Sequence, residues 1–268
     1  MTEQERSEKL NNLIKDSIPL TNDVFMIFAI NKEFCQEFLR VILEDDELEV
    51  IENDYQKVIP SAYNKKVMLD MLCRLKGGAI VNVEIQLVDE EYRAKRIFSY
   101  AAKIRVYDLK KGQDYKDASE IIIIYLTLKD IFQKGSTVYE VKMDVVSDQG
   151  EIVDKFDAGL RVLFVNTEGL TNETINDYLK ILTDKTTINS KYKITSKIKE
   201  DLFVKGGAMM SKEMMEILDD VRDEAMEVGI EKGKQELMVK LYKDNMVSKE
   251  YASSELHISV DEFLRLVI

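Results

Sequence analysis

The sequence predicts an α/β fold: a mixed sheet flanked by helices, with a helical extension toward its C-terminal end. Three observations predict it. Helical apolar spacing gives way near Tyr55 to period-two alternation, that alternation recurs in three consecutive segments, and an unbroken apolar run from Ile121 to Leu126 follows after an intervening helical stretch. The 268 residues, 45% of them apolar, can build one good-sized domain and an appendage.

Residues 1–55 hold 14 acidic against 5 basic residues, with apolar positions at Val24, Phe28, Phe38, Val41 and Ile42 spaced for helix. Strands are expected in YQKVIP from Tyr55, in KKVMLDMLCRL, and in AIVNVEIQLV, where Val81, Val83, Ile85 and Leu87 alternate with polar neighbours. Gly77 and Gly78 between the last two mark a hairpin. A helix is expected from about Glu90 to Lys111, stopped at Gly112, a residue type favoured just past a helix end. The run IIIIYL then fits a strand buried on both faces, as a parallel crossover unit requires.

Further strands are expected at Tyr139 to Val145 and Leu160 to Val165, and a helix over Asn172 to Thr183 with Thr171 or Asn172 as its cap. Beyond about residue 195 the chain turns helical again. Periodicity therefore divides it into residues 1–194 and a C-terminal helical region, 195–268. In the latter, Met214, Leu218, Val221, Ala225 and Val228 form a short heptad-like stripe that a partner helix would bury.

Composition excludes several chemistries. His257 is the one histidine, close to the C-terminus, so a Ser-His-Asp triad or a histidine-rich zinc site has almost nothing to work with, and hydrolysis must run on carboxylates. Cys35 and Cys73 lack CxxC spacing and read as core thiols of a reducing compartment. No apolar stretch is long enough to span a membrane and the opening MTEQERSEKL is polar, so the expected location is the cytoplasm. The net charge of −12 argues against a nonspecific coat on nucleic acid, although a local basic face could override it.

The chemistry-bearing constellation lies on the hairpin. Glu84 and Gln86 are two apart and leave one strand face together. Whether Asp70 joins them depends on register. A three-residue loop, Lys76-Gly77-Gly78, pairs Leu75 with Ala79 and sets Asp70 opposite Glu84, whereas a two-residue loop pairs Asp70 with Ile85. In the first register two carboxylates would lie about 5 Å apart. Such a pair needs a cation between its members or a proton on one of them, and hard oxygen ligands suggest Mg²⁺ or Mn²⁺. The bland alternative is the solvated face of an ordinary hairpin, with Asn82, Glu84 and Gln86 simply exposed.

The following helix adds weight to the first reading. At 100° per residue Arg93, Arg96, Tyr100, Lys103 and Tyr107 share one stripe, basic and aromatic. Residues 93–116 carry eight Lys/Arg against Asp108 and Asp114, a net +6 inside an acidic chain. Phosphate binding would use such a stripe; a solvated helix with packed tyrosines is the other reading.

This arrangement resembles the PD-(D/E)xK nuclease superfamily and, within it, the Rpn-type recombination-promoting nuclease and transposase family. The matching residues are TNDVFMIF around Asp23, LDML at Asp70, NVEIQL at Glu84 and Gln86, Arg96 with Tyr100, KKGQDY at Gly112 and Tyr115, and IIIIYL. The resemblance spans roughly residues 20–165. It implies a restriction-endonuclease-like αβββαβ core and a metal-dependent DNA endonuclease linked to recombination or mobile elements. Asp70 and Glu84 would be metal ligands, Asp23 a further carboxylate, and Gln86 the occupant of a position held by lysine in many relatives. Met26 stands where family members often carry lysine.

In the tail, ASSELHIS from Ala252 to Ser259 resembles the turn of a helix-turn-helix, and Ser259 with Glu262 can form a capping box. The last helix would offer phosphate only Arg265, beside Asp261 and Glu262, so helix packing or a homodimer through these helices is the expected use.

Overall fold

The loop Lys76-Gly77-Gly78 sets the register of the central hairpin. Gly78 has φ +91°, a left-handed conformation that costs a side-chain-bearing residue energy. Its N–H bonds the Leu75 carbonyl at 2.8 Å, and Leu75 N–H bonds the Ala79 carbonyl at 2.8 Å. The loop is thus the three-residue one. The computed structural model describes residues 17–59, 67–86, 92–110, 112–204, 234–235, 237–244 and 246–267, apart from the side chains of residues 22 and 23. They fall into two compact units, residues 17–204 and 234–267.

The first unit opens with helices α1 (Asn22–Ala29) and α2 (Lys32–Leu43), followed by strands β1 (Val50–Ile59), β2 (Val67–Leu75) and β3 (Ile80–Gln86). Helix α3 (Arg93–Asp108) leads to β4 (Ile121–Thr127). Next come β5 (Val138–Glu140), β6 (Asp144–Val146), β7 (Ile152–Lys155) and β8 (Leu160–Asn166), then α4 (Glu173–Thr183), α5 (Lys193–Lys199) and a π turn over Glu200–Val204. The six-stranded sheet has the order β1-β2-β3-β4-β8-β5. Its first three strands are antiparallel, β3, β4 and β8 run parallel, and β5 is an antiparallel edge. This is the mixed α/β sheet that the sequence predicts.

Every residue of β4 is buried, because it lies between β3 and β8 with helices on both faces; this explains IIIIYL. On one face α3 contributes Ile97, Tyr100, Ala101 and Ile104 to a core with Leu72, Ile80, Ile123, Tyr125 and Phe164. Toward α1 and α2 the core is aromatic: Phe25, Phe34 and Phe38 pack edge-on or tilted, and Phe38 meets Tyr178 of α4. Met26 is part of this interior, 2% exposed, which suits an apolar side chain. Cys35 and Cys73 are buried thiols, with Cys35 Sγ 3.5 Å from Met71 Sδ.

Three boundaries differ from expectation. The first strand begins at Val50, five residues before Tyr55, because Val50 pairs with Leu75 at the end of the ladder. Helix α3 is shorter than Glu90 to Lys111, and Gly112 follows it with φ +85°. The strand expected over Tyr139–Val145 is two: Val138–Glu140 pairs with β8, while Asp144–Val146 leaves the sheet and pairs with β7. Asn172, rather than Thr171, caps α4, its side chain accepting the Ile175 N–H at 3.1 Å.

In the second unit α6 (Lys249–Glu255) and α7 (Val260–Val267) flank the predicted turn. Ser259 and Glu262 form the capping box: Glu262 N–H bonds Ser259 Oγ at 3.2 Å, and Glu262 Oε2 accepts the Ser259 N–H at 2.8 Å. His257 holds the left-handed turn position, φ +54°. Ala252 and Phe263 are buried, and Tyr242 meets Phe263 edge-on. The stripe from Met214 to Val228 lies outside the described residues. Among the described residues no helix is long and apolar enough to cross a membrane.

Candidate active site

The β2–β3 ladder pairs Met71 with Val83 and Leu72 with Asn82, so one step further Asp70 stands opposite Glu84. Their carboxylates replace backbone bonds there. Asp70 Oδ2 accepts the Ile85 N–H at 2.8 Å, and Glu84 Oε1 lies 3.4 Å from the Asp70 nitrogen. Glu84 is fully buried. Its Oε1 also accepts from Asn82 Nδ2 at 3.0 Å, whereas Oε2 accepts no hydrogen bond among the described residues. The bland reading, a solvated hairpin face, does not describe this strand: Asn82 and Glu84 are both buried beneath α3.

Burial acts on both acids in the same direction, and for Glu84 the neighbouring Asp70 adds to it. Burial pushes the Asp70 carboxyl up to about 6, opposed by the Ile85 N–H and the Arg96 guanidinium. Glu84 is held well above the usual carboxylate range, first by burial and then by neighbouring Asp70. Without a cation both carboxyls are thus biased toward their protonated forms, and a bound divalent ion would favour the charged forms.

Helix α3 supplies the positive side. Arg96 Nη2 lies 3.9 Å from Glu84 Oε2, its Nη1 donates to Gln86 Oε1 at 3.4 Å, and its Nε donates to the Tyr100 hydroxyl at 2.6 Å. Tyr100 is 8% exposed, and burial keeps its phenol protonated well beyond the usual range. Arg93 lies over the Phe132 ring, 5.5 Å from its centroid. Lys103 is partly exposed; Tyr107 is half exposed, with Lys57 5.9 Å above its ring. The stripe is therefore not uniform. Arg96 and Tyr100 belong with Asp70, Glu84 and Gln86, while Arg93, Lys103 and Tyr107 spread along the helix around them.

Arg105, one of the eight basic residues behind the net +6, is used structurally. It donates to the Ser119 carbonyl and, at 2.8 Å, to the Gly159 carbonyl, tying α3 to the starts of β4 and β8. Asp23 lies on α1, and its side chain is outside the described residues. Among the described residues no third His, Cys, Asp or Glu joins the two carboxylates in a metal-binding group. The sequence marks Asn82 only as a residue of the alternating face. Its spacing of two from Glu84 is the signal that could have marked it as a neighbour.

Compared with protein-family models, the chain matches the PD-(D/E)XK nuclease family transposase model over residues 26–228, a span that contains Asp70, Glu84, Gln86 and all of α3. No curated protein and no solved structure matches it.

Proposed function

The chain belongs to the PD-(D/E)XK nuclease family transposases, and we propose that it is a metal-dependent DNA endonuclease in which Asp70 and Glu84 hold Mg²⁺ or Mn²⁺. One observation carries this reading: two carboxylates meet across the hairpin in a buried setting, with Glu84 Oε2 accepting no hydrogen bond among the described residues. Hard, anionic oxygens of this kind fit a hard divalent cation. Such an ion supplies water activation and neutralises charge on the phosphate during in-line displacement.

The chain's own residues do the rest. Asp70 is held by the Ile85 N–H and Glu84 by Asn82, so neither carboxylate must reorganise to bind. Gln86, a neutral amide, orients water or a phosphate oxygen and provides no base. Arg96 is the cation nearest the carboxylates along α3 and takes the scissile phosphate, with Tyr100 acting through it by fixing Nε. Arg93, Lys103 and Tyr107 contact the DNA backbone on either side. The membership in a transposase family supports a role in DNA recombination or mobile-element movement.

The direct test is plasmid cleavage with Mg²⁺ or Mn²⁺ by the wild-type protein and by Asp70→Ala and Glu84→Ala. Cleavage by the wild type alone is expected; equal cleavage by all three sinks the assignment. Gln86 in the lysine position supports a second reading, a nuclease-like module that binds DNA or a protein without cutting. On that reading salt-dependent DNA binding persists, no cleavage occurs, and no heat of metal binding depends on Glu84.

A further inference from the structure

Asn82 is a costly residue where it stands. It is fully buried, and its cross-strand neighbours are Leu72 on β2 and Ile123 on β4, both apolar. Its Oδ1 accepts no hydrogen bond among the described residues. A buried acceptor left without a donor costs about 1–3 kcal/mol, so leucine or isoleucine would suit this layer better. What the amide does contribute is one bond, from Nδ2 to Glu84 Oε1 at 3.0 Å.

That bond decides which oxygen Glu84 can offer. Oε1 is held by the Asn82 amide and lies 3.4 Å from the Asp70 nitrogen, while Oε2 has no hydrogen-bond donor among the described residues. With two donors on Oε1, Glu84 presents Oε2 to a ligand, and a two-oxygen grip would have to displace one of those donors. Mg²⁺ demands a small, near-octahedral set of ligands, whereas Ca²⁺ accepts carboxylates through both oxygens at longer distances. We infer that Asn82 is a positioning residue that restricts Glu84 to one-oxygen ligation and thereby biases the site toward a small octahedral divalent ion over calcium. The inference rests on the reading of Asp70 and Glu84 as metal ligands.

The experiment is calorimetric titration of the full chain, wild type, Asn82→Leu and Asn82→Ala, with MgCl₂ and with CaCl₂, beside thermal melts. Loss of an outer partner of a metal ligand typically weakens affinity by about 10–100-fold. We expect that loss for Mg²⁺ and a change under about threefold for Ca²⁺, so the preference for Mg²⁺ collapses; this contrast follows from the ligand demands of the two ions. Asn82→Leu should melt within about 5 °C of wild type, since an apolar side chain replaces a poorly satisfied polar one. Equal weakening for both ions, or no change in a variant that melts normally, overturns the inference. So does loss of the fold in both variants, which would make Asn82 a structural residue. A wild type that binds neither ion, or binds them no better than a parallel Glu84→Ala control, is a different failure, that of the metal-site reading beneath it.

Discussion

Asp70 and Glu84 bind each other's strands through their side chains: the Asp70 carboxylate accepts the N–H of Ile85, next to Glu84, and Glu84 Oε1 lies 3.4 Å from the Asp70 nitrogen. The backbone ladder ends one step before them, at Met71 and Val83. The two carboxylates thus sit where the hairpin stops satisfying itself. Backbone N–H groups and the Asn82 amide hold them there.

This placement sets a pH dependence. The folded-state pKa of Asp70, about 6, lies above its ordinary 3.8, so between those values the folded chain binds more protons than the unfolded one. Stability from this group is present at low pH and is lost as pH rises through that window. Asp70→Asn keeps an oxygen for the Ile85 N–H and removes the charge. Its stability advantage over wild type, followed by urea denaturation without metal, should grow by about 2–3 kcal/mol between pH 4 and pH 7. Saturating Mg²⁺ should narrow the gap by stabilising only the wild type. A gap independent of pH would refute the account.

Arg96 is held at three points, by Glu84, Gln86 and Tyr100. Removing a cation that stabilises transition-state charge costs about 10²–10³ in rate. Arg96→Ala should show that loss in single-turnover cleavage with metal affinity largely kept. Arg96→Lys should recover little, because an ammonium cannot hold Tyr100 and reach the phosphate together. Tyr100→Phe should give a smaller loss, in the same assay, through misplacement of Arg96.

The hairpin register depends on Gly78. Any other residue at φ +91° meets a steric cost of about 1–2 kcal/mol. Gly78→Ala should lower the unfolding free energy by that amount, measured by urea denaturation. A replacement at Gly112, also at positive φ but outside the hairpin, is the control for activity: it should leave cleavage per folded molecule unchanged.

Lys199 is fully buried and donates to the carbonyls of Ile181 in α4 and of Asp184 and Thr187 just beyond it. Lys199→Met fills similar space but leaves those acceptors without their donor. A loss of about 3 kcal/mol is expected in equilibrium denaturation, with cleavage per folded molecule unchanged.

Local signals were legible in the chain. The period-two segments, the run IIIIYL, the Asn172 cap and the Ser259–Glu262 box each depend on residues within a few positions of one another, and the structure has all of them. The expected strand over Tyr139–Val145 shows where this stops: which part of it joins the sheet is set by β8, whose edge pairs with Val138–Glu140 only.

For the candidate site, the residue types and their spacing were set by the sequence, which placed Glu84 and Gln86 on one strand face and aligned Arg96 with Tyr100. It left Asp70 open, because Lys76-Gly77-Gly78 can close either a two- or a three-residue loop. Only the folded sheet decided that. Tertiary structure also turned Arg96 inward, sent Arg105 to a carbonyl 54 residues away, and buried Asn82 beside Glu84. The reason is physical: alternation tells which residues share a face of a strand, but the helix packed on that face determines whether it meets water or becomes a low-dielectric interior where two carboxylates need a cation or a proton between them.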